Sequence, residues 1–147
     1  MNRDFMLAAL EEAQKAMLKG EVPVGAVIVK NNRIIARGHN RREETKNVLS
    51  HAETEAIYEA CKVLGSWRLD GCSIYVTLEP CPMCAGAILH SRISEVYFGA
   101  YDSRYGCFGS AVSFSFPGGF QTPKIVGGYM NDSCEKILSS FFSDLRK

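Results

Sequence analysis

Apolar positions along the first forty residues alternate between helical and strand-like spacing. Between residues 4 and 19 they recur at about the spacing of a helix, and Gly20 follows as a natural C-terminal stop. Residues 24–29 are continuously apolar, residues 30–33 are polar, and residues 34–37 are largely apolar again. This pattern predicts one covering helix and then a β-hairpin whose first strand is buried on both faces.

The remaining pattern predicts alternating helices and strands. The expected elements are a helix over 50–64 stopped by Gly65, a strand over 73–78, a helix over 82–90, a strand over 95–99, a short strand over 124–126 and a helix from Asp132. Residues 38–47 are polar and predict a loop, while residues 100–123 are rich in Gly, Ser and aromatics without a clear period. No order is assigned to that last segment.

This succession of elements predicts an α/β fold. Strands separated by helices imply parallel crossovers, and the opening hairpin adds one antiparallel strand. We therefore expect a three-layer α/β/α architecture with one mixed central sheet. A chain of 147 residues is enough for one domain with its own core, so residues 1–147 are predicted to form a single domain.

Composition and charge place few restrictions on function. Apolar residues make up 46% and charged residues 22%, which is ordinary for a soluble globular protein. The formal net charge of +1 argues neither for nor against a nucleic-acid partner, so RNA would need a local basic patch. The candidates for this patch are Arg41, Arg42, Lys46, Arg104, Arg146 and Lys147, although such residues are more often plain solvated surface.

The N-terminal segment and the cysteines indicate a cytoplasmic protein. Asp4, Glu11 and Glu12 interrupt the apolar residues of the first helix, which therefore resembles neither a signal peptide nor a membrane span. No membrane association is expected. Six cysteines without a secretory signal fit a reducing compartment. Those outside the motif described next, Cys61, Cys72, Cys107 and Cys134, are predicted to be unpaired and mostly buried thiols.

One imidazole and two thiols suggest a catalytic metal. His51, Cys81 and Cys84 supply three soft ligands, which would leave a tetrahedral Zn²⁺ one open position for water. Pro82 suits the first position of a helix, so both cysteines should lie at a helix N-terminus, where thiolates are favoured. We expect His51 at the cap or first position of the preceding helix, and one zinc ion per chain.

Glu53 is the expected acid–base residue. It lies two positions after His51 and is not needed as a ligand. Alternatively, Ser50-x-x-Glu53 could be a capping box, in which Glu53 only accepts the backbone N–H of Ser50. The Cys-x-x-Cys pair alone could also be a redox dithiol or half of a structural zinc knuckle. A redox dithiol would not require His51 or Glu53, and a knuckle would require a second ligand pair.

The combination of His-x-Glu with a later Pro-Cys-x-x-Cys is the signature of zinc nucleobase deaminases. Beyond this motif, the chain resembles the cytidine-deaminase-like superfamily and, within it, the bacterial tRNA-specific adenosine deaminases, almost from end to end. The blocks that carry the resemblance are residues 22–27, 38–41, 51–53, 76–88, 91–93 and 98–102. The zinc motif marks only the superfamily, whereas the blocks after Cys84 point to the tRNA enzymes.

The resemblance implies deamination of adenosine to inosine at the wobble position of a tRNA anticodon stem-loop by a homodimer. Its metal site would be His51, Cys81 and Cys84, with Glu53 shuttling protons while zinc-bound hydroxide attacks carbon 6 of adenine. The resemblance places Asn40 on the base and Asp102 on the neighbouring sugar. Ala52 completes the expected substrate-binding set.

Some features depart from the family pattern. Asn47-Val48-Leu49-Ser50 replaces the usual Asp-Pro-Thr-Ala before His51, and Gln121 stands where the family commonly has asparagine.

Residues 60–65 and 80–84 look equally like bacterial guanine deaminases, so deamination of guanine or another free nucleobase or nucleoside is the alternative. A non-catalytic zinc-stabilised RNA-binding or structural module is a third hypothesis, which the presence of Glu53 disfavours.

Overall fold

A computed structural model describes residues 2–145 and contains the predicted elements in the predicted order. They are α1 (Arg3–Leu18), β1 (Gly25–Lys30), β2 (Arg33–His39), α2 (Arg42–Thr45), α3 (Ala52–Leu64), β3 (Ser73–Leu78), α4 (Pro82–His90), β4 (Glu95–Ala100), β5 (Lys124–Val126) and α5 (Asn131–Leu145). Arg146 and Lys147, both predicted RNA contacts, lie outside the described residues.

The five strands form one mixed sheet in the order β2-β1-β3-β4-β5. β1 pairs antiparallel with both β2 and β3, whereas β3, β4 and β5 pair in parallel. All strands except β1 therefore run in the same direction. The carboxyl ends of β2, β3 and β4 consequently share one edge of the sheet, which is where open α/β sheets bind ligands.

Helices cover both faces of this sheet, which confirms the predicted three-layer architecture. On one face the small residues of α3 and Ile88 of α4 pack against Ala26, Ile28, Ile74, Val76, Val96 and Phe98. On the other face residues of α1, together with Cys134 of α5, pack against Val27, Val29, Tyr75 and Tyr97. Successive residues of one strand thus enter two different cores, as the period of a strand requires.

The hairpin of β1 and β2 turns at Asn31 and Asn32, whose φ angles are 51° and 61°. Asparagine tolerates this left-handed conformation better than most residues, so the turn suits its sequence. Further along β2, a Cβ atom at Gly38 would lie 2.4 Å from the carbonyl oxygen of Ala52. Because glycine has no Cβ, β2 can lie directly against the first turn of α3.

The prediction of a loop over residues 38–47 is wrong in one part, because this segment contains the short helix α2. The cap residue Arg41 forms no side-chain capping bond. Instead the buried carboxylate of Glu21 accepts the backbone N–H groups of Glu43 at 3.1 Å and Glu44 at 2.7 Å. The capping carboxylate lies more than twenty residues earlier in the chain, so the local sequence pattern did not reveal the helix.

The four cysteines outside the motif are free thiols, of which Cys72, Cys107 and Cys134 are buried and Cys61 is partly buried, as predicted. Within residues 2–145, no helix combines the length and the apolar character that crossing a membrane requires.

Candidate active site

Two helices begin at the candidate metal ligands. His51 is the N-cap of α3 and has an extended backbone, with φ −90° and ψ 163°. Cys81 is the N-cap of α4, Pro82 occupies the first helical turn, and Cys84 follows within the same turn. The cap position expected for His51 is thus observed. Because a cap residue lies outside the regular helix, His51 and Glu53 can reach the same space despite their spacing of two.

The donor atoms of these side chains lie close together. His51 Nδ1 is 3.7 Å from Cys81 Sγ and 3.5 Å from Cys84 Sγ, and all three donor atoms lie within 4.8 Å of one another. Tetrahedral zinc with ordinary Zn–S and Zn–N bonds separates sulfur from nitrogen by about 3.6 Å. The spacing and the soft donor set therefore fit a zinc ion.

A hydrogen bond joins the two cysteine side chains. The Cys84 thiol donates to Cys81, and this bond, together with His51, lowers the pKa of Cys81 to about 4 against the opposing effect of burial. The same hydrogen bond and burial raise the pKa of Cys84, while the hydrogen bond with Cys81 raises the pKa of His51. Negative charge is thus concentrated at Cys81, and a second thiolate beside it requires a cation.

Glu53 is buried, with 4% of its surface exposed. Burial raises the pKa of its carboxyl to about 7, with a further contribution from the negative charge of Cys81. The capping-box interpretation of Glu53 is wrong: the N–H of Ser50 donates to the carbonyl of Asn47 at 3.1 Å. The N–H of His51 is capped instead by Thr54 Oγ1 at 3.0 Å. Glu53 therefore caps neither the N–H of Ser50 nor that of His51.

A cavity of about 520 Å³ opens beside this group. Its lining includes Asn40, His51, Ala52, Glu53 and Cys81, together with Val22, Val24, Arg42, Leu78, Glu79, Tyr101, Asp102, Ser103, Arg104, Tyr105, Leu138 and Phe142. All residues expected in the substrate-binding set are thus brought to one pocket. Leu138 and Phe142 of α5 thus form part of the pocket wall.

Asn40 follows directly after β2 and is 9% exposed. Its Nδ2 donates to the carbonyl of Val22 at 3.2 Å, and its Oδ1 accepts the N–H of Arg42 at 3.2 Å. One N–H and one lone pair of the amide are left for a ligand. The two hydrogen bonds to the backbone of Val22 and Arg42 determine the orientation of the amide.

Asp102 and Ala52 both line the pocket and come from different parts of the chain. Asp102 Oδ1 accepts the N–H groups of Arg104 at 3.0 Å and Tyr105 at 3.1 Å, which shapes the loop after β4. Ala52 is the first residue of α3, where backbone N–H groups have no partner within the helix. The loop residues Tyr101 and Tyr105 were not predicted, because residues 100–123 show no period.

The basic residues near the pocket differ in their surroundings. Arg41 is held by Glu44 at 2.6 Å and lies 3.8 Å from Glu55. Arg42 and Arg104 line the cavity, and in the described part of the chain neither forms an ion pair. Gln121 lines a second cavity with Arg68, Asp70 and Arg92. It is not part of the lining of the candidate active-site pocket.

Comparison with known proteins identifies the family of this chain. Residues 1–100 match the model of the cytidine and deoxycytidylate deaminase zinc-binding region. The tRNA-specific adenosine deaminase of Bacillus subtilis (strain 168) is 50% identical over 144 residues, which cover 97% of this chain and 89% of that protein.

Two of the solved structures that are similar to this one are those of deaminases. One comes from biochemical and structural studies of A-to-I editing by tRNA:A34 deaminases at the wobble position of transfer RNA. It has a TM-score of 0.87 and 42% identity, covering 93% of this chain and all of the other. The other, guanine deaminase from Bacillus subtilis, has a TM-score of 0.65 and 43% identity, covering 69% of this chain and 66% of its own. The chain therefore belongs to the zinc-dependent cytidine and deoxycytidylate deaminase family and, within it, to the tRNA-specific adenosine deaminases.

Proposed function

We propose that this protein hydrolytically deaminates adenosine to inosine at the wobble position of a tRNA anticodon. The observation that carries this function is the similarity to tRNA-specific adenosine deaminases over 97% of the chain. The similarity to the guanine deaminase of Bacillus subtilis covers only 69% of this chain. Residues 1–147 would act as one deaminase domain, because the described strands form a single sheet.

The proposed metal ligands are His51, Cys81 and Cys84, holding one zinc ion per chain. This assignment is supported by the fit between the donor spacing and tetrahedral zinc. Zinc bound there supplies a Lewis acid that makes water a nucleophile near neutral pH. Because both cysteines lie at the N-terminus of α4, the helix dipole helps to offset the charge of two thiolates.

Glu53 moves the protons of the reaction. Its burial brings the carboxyl pKa to about 7, close to the pH at which it must both accept and release a proton. It takes a proton from the attacking water, whose oxygen bonds to carbon 6, and passes that proton to the adjacent ring nitrogen. A second transfer through Glu53 protonates the amino group, which leaves as ammonia, and inosine remains.

Asn40, Ala52 and Asp102 are the proposed substrate-binding residues. The free N–H and lone pair of the Asn40 amide would bond the edge of the base, and the orienting bonds from Val22 and Arg42 favour one amide orientation. The backbone N–H of Ala52 is available to an acceptor on the base. Asp102, on the loop after β4, also lines the pocket and would contact the sugar next to the base.

Positive charge and aromatic rings at the same pocket favour RNA over a free base. Arg42 and Arg104 line the cavity, and the ring of Tyr105 beside them is 60% exposed. Cations that contact phosphates and rings that stack on unpaired bases are the usual means of binding single-stranded nucleic acid. An anticodon loop already presents its bases unpaired, so everting one costs only a few kcal/mol.

Deamination of free guanine is the second candidate, because the Bacillus subtilis guanine deaminase is 43% identical over its matched part.

A homodimer in the cytoplasm is also proposed. Self-association is supported by large apolar side chains that are exposed away from the pocket, namely Tyr58, Val63 and Trp67. Sedimentation of the purified protein tests the dimer, and cell fractionation tests the location.

The deciding experiment compares two substrates. Purified zinc-replete protein is incubated with a transcribed anticodon stem-loop carrying a wobble adenosine, and separately with free guanine, while inosine and ammonia are measured. We expect inosine in the stem-loop and no ammonia from guanine. A stem-loop with guanosine at the wobble position is the matched control. Efficient guanine turnover without conversion of the stem-loop would replace the proposal with the second candidate.

A further inference from the structure

Glu79 is a buried carboxylate that the proposed chemistry does not use. It follows β3 directly, precedes the Pro-Cys-x-x-Cys motif, and is 2% exposed. A carboxylate in such a place is costly unless donors satisfy its oxygens. Its side-chain hydrogen-bond partners in the described structure all come from residues 101–110, a segment called the rim loop here.

The rim loop surrounds this carboxylate with donors. Oε1 of Glu79 accepts the N–H of Asp102 at 3.1 Å and also the hydroxyl of Ser110. Oε2 accepts the N–H groups of Phe108 at 3.0 Å and Ser110 at 3.1 Å. Four hydrogen bonds thus tie both ends of the loop to one side chain.

Gly106 allows the loop to come this close. A Cβ atom at position 106 would lie 2.4 Å from the carboxyl carbon of Glu79, well inside van der Waals contact. The backbone of the rim loop is therefore packed against the carboxylate itself. Alanine at this position would push the loop and Glu79 apart.

The first half of the rim loop forms one side of the pocket. Asp102, Arg104 and Tyr105 all line the cavity. Asp102 connects them to Glu79, because its backbone N–H is held by Glu79 while its side chain accepts the N–H groups of Arg104 and Tyr105. The conformation of this side of the pocket thus depends on Glu79, whose side chain only accepts hydrogen bonds from the loop.

We infer that Glu79 is a positioning residue that holds the rim loop in its RNA-binding conformation before the RNA arrives. The inference rests on the proposed function, in which Asp102, Arg104 and Tyr105 contact the anticodon loop. A loop that is already ordered loses little conformational entropy on binding. Removing Glu79 should therefore weaken binding of the stem-loop more than it slows the chemical step.

Glu79→Gln tests this with the smallest change in shape. Whichever way the amide is turned, its NH₂ group faces either the N–H of Asp102 or the N–H groups of Phe108 and Ser110. We expect KM for the stem-loop to rise about tenfold or more, as losing hydrogen bonds to a charged group implies. The value of kcat and the zinc content should stay close to those of the unmodified protein.

Glu12→Gln is the matched control. Glu12 is also a buried carboxylate, but its partners Lys15 and His39 lie on α1 and β2, and it does not line the pocket. If Glu79 only stabilises the fold, the two variants should change KM alike for the same loss of Tm. A KM effect confined to Glu79→Gln supports positioning.

Trypsin provides a readout that needs no RNA. Arg104 is exposed within the rim loop, so cleavage after it reports how often the loop opens. Cleavage should be several times faster in Glu79→Gln than in the unmodified protein and unchanged in Glu12→Gln. If the unmodified protein fails to convert the stem-loop, the proposed function is wrong, while the trypsin comparison still decides whether Glu79 holds the loop.

Gly106→Ala perturbs the same contact from the loop side and replaces Glu79→Gln if that variant does not fold. It should raise KM and trypsin cleavage in the same way, and the double variant should be little worse than either single one. Unchanged KM and cleavage in these variants would overturn the inference. So would loss of zinc and kcat at constant KM, because Glu79 would then position Cys81 instead of the rim loop.

Discussion

Thr54 Oγ1 accepts the backbone N–H of His51 at 3.0 Å. This bond caps α3 at the residue proposed to hold the metal, so the neighbouring Glu53 carboxyl is not needed for that cap. Helix stability and acid–base chemistry are thus assigned to adjacent side chains, and substitutions can separate the two.

Glu53→Gln should keep the fold and the zinc but lose turnover on the stem-loop by about a hundredfold to ten-thousandfold, the usual contribution of a positioned acid–base group. Thr54→Ala should show the opposite behaviour. Loss of the cap should lower the free energy of unfolding by about 1 kcal/mol while deamination continues. Single-turnover rates and urea unfolding of both variants provide the comparison. An active Glu53→Gln would exclude the proposed mechanism.

Zinc-replete protein should contain about one equivalent of zinc per chain, measured by metal analysis after dialysis. Cys84→Ala should lose most of it, because two protein ligands remain where three are needed. Cys61→Ala is the control, since this thiol lies on the same helix as Glu53 but outside the donor group. Full zinc retention in Cys84→Ala would mean that the ligand assignment is wrong.

Burial of Glu53 should also make the stability of the metal-free protein depend on pH. Because burial raises the carboxyl pKa from 4.5 to about 7, its stabilising contribution is complete below 4.5 and is lost as the pH rises through about 7. Metal-free Glu53→Gln lacks this titration. The difference in unfolding free energy between Glu53→Gln and the parent should therefore grow with pH across this range, by on the order of 3 kcal/mol. Urea unfolding in chelator at several pH values tests this, and a flat difference would contradict it.

Arg42→Ala and Arg104→Ala should each weaken binding of the anticodon stem-loop. Each should also lower the dependence of log affinity on log salt by about 0.7 for every phosphate that the arginine neutralises. Arg41→Ala should have a smaller effect, because Glu44 and Glu55 already hold that guanidinium. Titrations at several salt concentrations distinguish them. Equal slopes for all three variants would show that the pocket arginines do not bind phosphate.

Most of the fold could be predicted because its information is local. The strand at 73–78 and the helix at 82–90 were predicted with the bounds that the structure gives. Apolar periodicity and Pro82 are sufficient there. The donor group was also predictable, since ligand chemistry restricts the residue types and the cap positions bring them together.

The missed parts are held by interactions with distant positions. The helix α2 is capped by Glu21, and the rim loop is ordered by Glu79, more than twenty residues away from each of its partners. A sequence window that contains only the loop carries no trace of such a carboxylate. For the rim loop, the signal that could have been used is Glu79 itself, an acidic residue directly after an apolar strand and outside the proposed set of metal ligands.

The turn at Asn31 and Asn32 has a practical consequence. It lies at the start of β2, whereas Asn40 follows the other end of that seven-residue strand, so about 23 Å of sheet separates the hairpin tip from the pocket. Both asparagines are exposed, and exposed loop tips tolerate insertions well. A fluorescent dye or a surface tether can therefore be attached at this tip to follow RNA capture on single molecules while the chemistry proceeds at the opposite edge.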